Sequence, residues 1–298
     1  MKNRTITEYL ILTLKGMAMG AADVVPGVSG GTIAFITGIY TELINSIKSV
    51  NLATIKLLVT FQFGKLLKAV NAPFLAALFL GVGISVFSLA RVITYLLEHH
   101  PILVWSFFLG LIIASSYSMS KEVKSWKLSS WISFIVGVAF AYYITVATPA
   151  QTPESLPFIF LCGAIAICAM ILPGISGSFI LLLMGKYHHI MDAIKSLDLT
   201  IIAVFGAGAA IGIVLFSNVL SFLLSRYKDI TIALLTGIMV GSINKVWPWK
   251  EIYMLNDVEM TRNIAPNELI LPAIGLMILG AVLVLAMEYI ARLSSKTE

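Results

Sequence analysis

Long apolar runs separated by short polar clusters dominate the chain, and their lengths predict its elements. Six stretches, at about 73–97, 101–119, 128–147, 200–224, 230–246 and 268–293, are each near the roughly twenty residues that a membrane-crossing helix needs. Two further apolar stretches, 9–48 and 158–195, are interrupted near their middles by Pro and Gly, which break a helix. Each predicts two arms of about fifteen to eighteen residues around a turn, too short for two full crossings. A re-entrant hairpin is therefore expected, with Ser29 as N-cap of its second arm. In the connector 49–71, Leu52, Ile55, Leu58, Val59, Phe63, Leu66 and Leu67 recur at helical spacing beside Lys56, Lys65 and Lys68. That pattern predicts an amphipathic helix on the cytoplasmic face, where lysine meets anionic lipid. Residues 148–157, with three prolines, form a linker, and Trp247–Asn267 is the longest polar stretch of the second half, expected as a loop.

The two interrupted stretches resemble each other. Pro26-Gly27-Val28-Ser29-Gly30-Gly31-Thr32 matches Pro173-Gly174-Ile175-Ser176-Gly177-Ser178-Phe179, and the likeness continues through Gly38 and Gly185, Tyr40 and Tyr187, and Ile47-Lys48-Ser49 and Ile194-Lys195-Ser196. A fainter echo joins Gly83-Ile84 and Phe87-Ser88 to Gly212-Ile213 and Phe216-Ser217. The chain reads as a first repeat, 1–147, and a second, 158–298, each a hairpin followed by three spans. An odd number of crossings separates the two turns, so the halves are expected to be inverted relative to each other. The fold class is thus an all-α polytopic membrane protein of two inverted-topology repeats.

Composition agrees: 59% of the 298 residues are hydrophobic and 12% charged, about half the charge of a soluble domain. The net charge of +5 reads as loop bias and not as a nucleic-acid patch, since no Lys/Arg cluster lies beside stacking aromatics. With both termini cytoplasmic, about fourteen Lys and Arg fall inside and about five outside. Lys2, Arg4 and Ala18-Met19-Gly20 suggest a signal peptide, but Lys15 interrupts the apolar run and its repeat partner lies in mid-chain, so this segment reads as mature structure. Cys162 and Cys168 have no ligand-spaced partners and read as free thiols, without a metal.

Broken backbone at membrane depth is tolerated where it is buried in protein or lines a watery cavity, and a matched pair points to a transporter's binding site. The plainer reading of either turn is a kink that lets helices pack closely. If the hairpins enter from opposite faces, their tips meet near the midplane. Helix N-termini, Gly27, Gly30, Gly31, Gly174 and Gly177, and the hydroxyls of Ser29, Thr32, Ser176 and Ser178 then suit an anion, especially a phosphate. Arg91 lies within a span and is a candidate ligand, or else snorkels to the outer interface; the second half has Leu220 or a neighbour there, nothing basic. Asp23 and Glu42 flank the first turn, and His188 and His189 follow the second. They are candidates for proton coupling, against capping by the acids and an interfacial Lys186–His188–His189 cluster. Glu288 and Arg292 read as a structural i, i+4 pair.

The runs Gly20-Ala21-Ala22-Asp23-Val24-Val25-Pro26-Gly27-Val28-Ser29-Gly30-Gly31-Thr32 and Ile171-Leu172-Pro173-Gly174-Ile175-Ser176-Gly177-Ser178, with the two-half plan, resemble the polyprenyl-phosphate transporters. The resemblance implies return of undecaprenyl phosphate from the outer to the inner leaflet of the bacterial plasma membrane for cell-wall synthesis, with no catalytic residue and no cofactor. A proton or Na⁺ as coupling ion and a homodimer are compatible with it. The residues themselves fit a transporter of a small soluble anion equally well. A lipid-phosphate phosphatase is less favoured, because the His pairs lack an Arg-rich or nucleophile-bearing neighbourhood. Neither turn is followed by Lys-Ser/Thr, which argues against direct ATP drive.

Overall fold

The computed structural model describes residues 4–25, 28–150, 152–255 and 258–296, with side chains at 52, 90, 254–260 and 290–296 outside the description. Pro26 and Gly27 of the first turn, and the Arg292 side chain, therefore lie outside the described residues. In chain order the helices are α1 (Ile6–Val24), α2 (Gly30–Ile36), α3 (Tyr40–Lys48), α4 (Leu52–Val59), α5 (Phe63–Ala69), α6 (Ala72–His99), α7 (Pro101–Ser120) and α8 (Leu128–Val146). They continue as α9 (Leu156–Ile171), α10 (Gly177–Leu183), α11 (Tyr187–Ser196), α12 (Leu199–Arg226), α13 (Lys228–Val246) and α14 (Ile270–Lys296). Six of them, α6, α7, α8, α12, α13 and α14, are long and apolar enough to cross a membrane, so the chain is an all-α polytopic membrane protein.

Three local features depart from the sequence reading. Each hairpin's second arm is two short helices, because Gly38 (φ +74°) and Gly185 (φ +63°) adopt the left-handed conformation that ends a helix. The amphipathic connector is likewise two helices, α4 and α5, parted at Phe61 (φ 55°). The polar loop after α13 holds an antiparallel strand pair, β1 (Lys250–Leu255) and β2 (Val258–Asn263), with Glu251 opposite Arg262 and bonded to it at 2.7 Å. Strands of six residues with charged side chains carry too little alternating hydrophobicity to stand out.

Four helix pairs hold the bundle together, and reciprocal glycines seat each one. On α1 and α6, a Cβ at Gly16 would lie 2.1 Å from the Leu78 carbonyl oxygen and one at Gly81 2.0 Å from that of Thr13. Gly163 and Gly208 join α9 to α12, Gly110 and Gly280 join α7 to α14, and Gly137 and Gly237 join α8 to α13 in the same way. Apolar helices gain little from burial against each other in lipid, and close backbone approach at small residues supplies the packing. α7 and α13 are each 61% buried against 11–22% for the other four spans, so these two form the centre and the others face outward.

Gly81 of α6 meets Thr13 of α1 as Gly208 of α12 meets Phe160 of α9, and the echo between Gly83 and Gly212 falls two residues out of that correspondence. Gly83 has no close neighbour, whereas at Gly212 a Cβ would come within 2.6 Å of Ala164 Cα on α9.

Candidate functional site

The two Pro-Gly turns touch. In the first, Ser29 caps α2 by accepting from the Gly31 N–H at 3.0 Å, as expected, and its own hydroxyl donates to the Met170 carbonyl at 2.9 Å. Tyr40 OH donates to the Ile171 carbonyl at 3.1 Å. The end of α9 thus finds partners in the first half for carbonyls that its own helix cannot satisfy. Gly31 faces the same end, and a Cβ there would come within 2.4 Å of the Ile171 oxygen. Across the gap, the Gly174 N–H donates to Thr32 Oγ1 at 3.1 Å. Gly174 (φ +86°) also lies against α13, where a Cβ would meet Met239 Cα and Ser242 Oγ at 2.9 Å.

The two turns differ in what they leave open. Asp23, at the end of α1, accepts from the Gly30 N–H at 2.7 Å, so both leading amides of α2 bond within their own turn. In the second turn Ser176 and Ser178 share a hydrogen bond at 2.7 Å and Ser176 caps the Phe179 N–H at 3.4 Å. Among the described residues the Gly177 and Ser178 amides donate to nothing. The sequence treats the two turns as equivalent donors; among the described residues both leading amides of α2 are engaged and those of α10 are not.

Of two cavities, the smaller is lined by residues of the second turn, and the larger begins beyond the first turn, at Phe35 and Ile36 of α2. The larger, about 550 Å³, lies between α2, α3, the C-terminal parts of α7, α12 and α14 and the start of α13; Tyr40, Asn45, Ser118, Ser221, Lys228 and Glu288 are among its lining residues. The smaller, about 10 Å³, lies between α8, α13 and the second turn and is lined by Thr145, Gly174, Ser176, Phe179, Ser242 and Lys245.

Other predicted residues fall elsewhere. Arg91 is exposed on α6 and lines neither cavity. Glu42 takes a two-pronged bond from Arg4, at 2.9 and 2.6 Å, with Asn71 at 3.0 Å, which ties the chain before α1 to α3. His189 lies 3.5 Å from Glu154, whose carboxylate also lies 3.7 Å from Lys186, and His188 packs edge-on against Tyr187. Glu154 thus gathers Lys186 and His189 at the start of α11. Glu288 accepts from Ser118 Oγ and faces the large cavity, where the sequence suggested a pair with Arg292. Cys162 and Cys168 are free thiols.

Sequence reasoning missed Lys245 and Lys250, which it counted only as outer charges. Lys245 Nζ lies 4.2 Å from the centre of the Phe179 ring. Lys250 Nζ lies 4.0 Å from that of Trp105 and donates to the Lys245 carbonyl at 2.6 Å. Burial, with help from neighbouring Lys245, pushes the Lys250 ammonium down to about 7. The available signal was their position, Lys245 in the last turn of α13 and Lys250 just beyond it at the start of β1.

A family model described as VCA0040-like, undecaprenyl phosphate translocase-like, matches residues 19–264. A polyprenyl-phosphate transporter of Vibrio cholerae is 50% identical over 244 residues, covering 82% of this chain and 79% of that protein. One of Staphylococcus aureus is 34% identical over 253 residues, covering 79% of this chain and 85% of that protein. No solved structure gives a significant match. With a match spanning both turns and every helix from the end of α1 to α13, the chain belongs to the undecaprenyl phosphate translocase-like family, a family of transporters and not of enzymes.

Proposed function

We propose that this protein carries polyprenyl phosphate from the outer to the inner leaflet of the bacterial plasma membrane, returning the lipid carrier for cell-wall synthesis. The observation that carries the reading is the contact between the two turns, Gly174 N–H to Thr32 Oγ1; Gly174 lines the small cavity, and the space of about 550 Å³ begins one helical turn beyond Thr32, at Phe35 and Ile36. A head group bound there meets both halves of the molecule, as alternating access around a fixed site requires. Two inverted repeats are supported by the order of elements: a broken hairpin and three spans, twice, with α1 on α6 answered by α9 on α12 and α7 on α14 answered by α13 on α8. The charge bias supports cytoplasmic termini. The names of the relatives support the lipid, and the hydroxyls of Ser29, Thr32, Ser176 and Ser178 at the meeting point support its phosphate.

The test is reconstitution into liposomes carrying polyprenyl phosphate in the outer leaflet, with loss of the lipid to an externally added phosphatase scored with and without a pH gradient. Protein-dependent protection of the lipid is expected, with no protein-dependent uptake of radiolabelled inorganic phosphate. The opposite pair of results would make the protein a transporter of a small soluble anion.

A further inference from the structure

Lys245 occupies the last turn of α13, largely buried, with Nζ over the Phe179 ring and, among the described residues, no carboxylate within ion-pair distance and no acceptor for its ammonium. Among the described residues, Lys250 behind it has no carboxylate within ion-pair distance either. Taking an ammonium out of water is costly in a protein, and a ring face returns only part of that cost. Two such amines side by side also repel each other, and the fall of Lys250 to about 7 registers both costs. An anion that arrives during the working cycle would offset them.

What faces Lys245 suits such an anion. The lining of the small cavity contains hydroxyls, glycine backbone and apolar groups, and no Asp or Glu. Ser242 and Thr145 stand on either side, and one proton of the Ser176–Ser178 pair remains to be donated, since the two hydroxyls share only one bond. At about 10 Å³ the cavity is the size of one water molecule and holds no phosphate as it stands. The large cavity lies on the other side of the turns, so this conformation is open inside and closed outside.

The matching position in the other half has the opposite character. Gly110 of α7 meets Met277 of α14 as Gly237 of α13 meets Phe134 of α8. Eight residues beyond the two glycines stand Ser118 and Lys245; eleven beyond their contacts stand Glu288 and Thr145. The inner cavity therefore has a serine and a carboxylate where the outer one has an ammonium and a threonine.

We propose that Lys245 is the fixed cation of the head-group site: when the outer side opens, its ammonium, with the Ser176 and Ser178 hydroxyls, holds the phosphate monoester of the lipid against the second turn. Lys250 adds a second positive charge behind it. Glu288, at the matching place inside, offers the phosphate no such grip and favours its release. This assignment rests on the lipid-phosphate reading above.

The experiment uses the purified full chain in detergent with farnesyl phosphate as probe, read by thermal shift and intrinsic tryptophan fluorescence. Lys245→Gln should weaken binding about tenfold to a hundredfold, the worth of one charge-assisted hydrogen bond, with Lys245→Arg in between and melting unchanged. In the unsubstituted protein, farnesyl phosphate should protect Lys245 from reductive methylation, read by mass spectrometry; this arm decides even where a variant fails to fold. Equal binding by folded Lys245→Gln, or methylation of Lys245 unaffected by the probe, would overturn the assignment and leave the lipid reading intact. Should the wild type ignore farnesyl phosphate and bind inorganic phosphate, with Lys245 protected by it, the lipid reading fails while the anion site stands.

Discussion

Asp23 shows how one side chain can serve either geometry or chemistry. Its carboxylate accepts the Gly30 N–H at 2.7 Å, bridging the end of α1 to the start of α2 across the first turn. Asp23→Ala leaves a buried amide without a partner and should lower stability by about 1–3 kcal/mol in thermal unfolding. Asp23→Asn keeps an acceptor oxygen and should keep most of that stability. If Asp23→Asn retains its melting temperature and also its transport, Asp23 is a cap. Loss of transport at unchanged melting would instead make it a proton carrier. At this scale Ser29 was legible, because a serine before an apolar run and after Pro-Gly has few roles other than N-cap. Arg91 and Lys245 were not. Charge within an apolar run marks a residue as costly, but the rotation of its helix decides whether it faces lipid or a cavity. That rotation is set where Gly81 and Gly237 seat on Gly16 of α1 and Gly137 of α8, helices distant in sequence.

Helices pair here by glycine, and this is where stability should be most easily lost. Gly137 of α8 lies where a Cβ would stand 2.3 Å from the Leu234 carbonyl oxygen, so any larger side chain must push α8 from α13. Gly137→Leu is expected to cost several kcal/mol, in the upper range of single substitutions that overpack a core, and to abolish the monodisperse folded species in detergent chromatography. Gly83→Leu, where a Cβ meets nothing, serves as the contrast and should be tolerated. Both are glycines in apolar helices and look alike in the sequence. The six spans were legible from their lengths, and both hairpins from their turns. The breaks at Gly38 and Gly185 were visible as matched glycines, but a left-handed helix stop and a packing glycine share one letter. The strand pair β1–β2 escaped because short charged strands carry almost no periodic signal.

For the molecule as a whole, the two cavities define a direction. Ser225 lines the space of about 550 Å³ on the side assigned to the cytoplasm, and Ser242 lines the closed one of about 10 Å³ on the far side of the turns. In the proposed cycle, a phosphate that passes between the turns meets these two spaces open in alternation. The measurement that tests this most directly is thiol labelling by a membrane-impermeant reagent, in cells and in inside-out vesicles, with Ser225→Cys or Ser242→Cys placed in a chain whose Cys162 and Cys168 are replaced by alanine. The account predicts that Ser225→Cys reacts only from the cytoplasmic side. Ser242→Cys should react only from outside, slowly when substrate is absent and faster while polyprenyl phosphate is being transported. Labelling of both positions from the same side, or a Ser242→Cys that stays unreactive throughout transport, would contradict it.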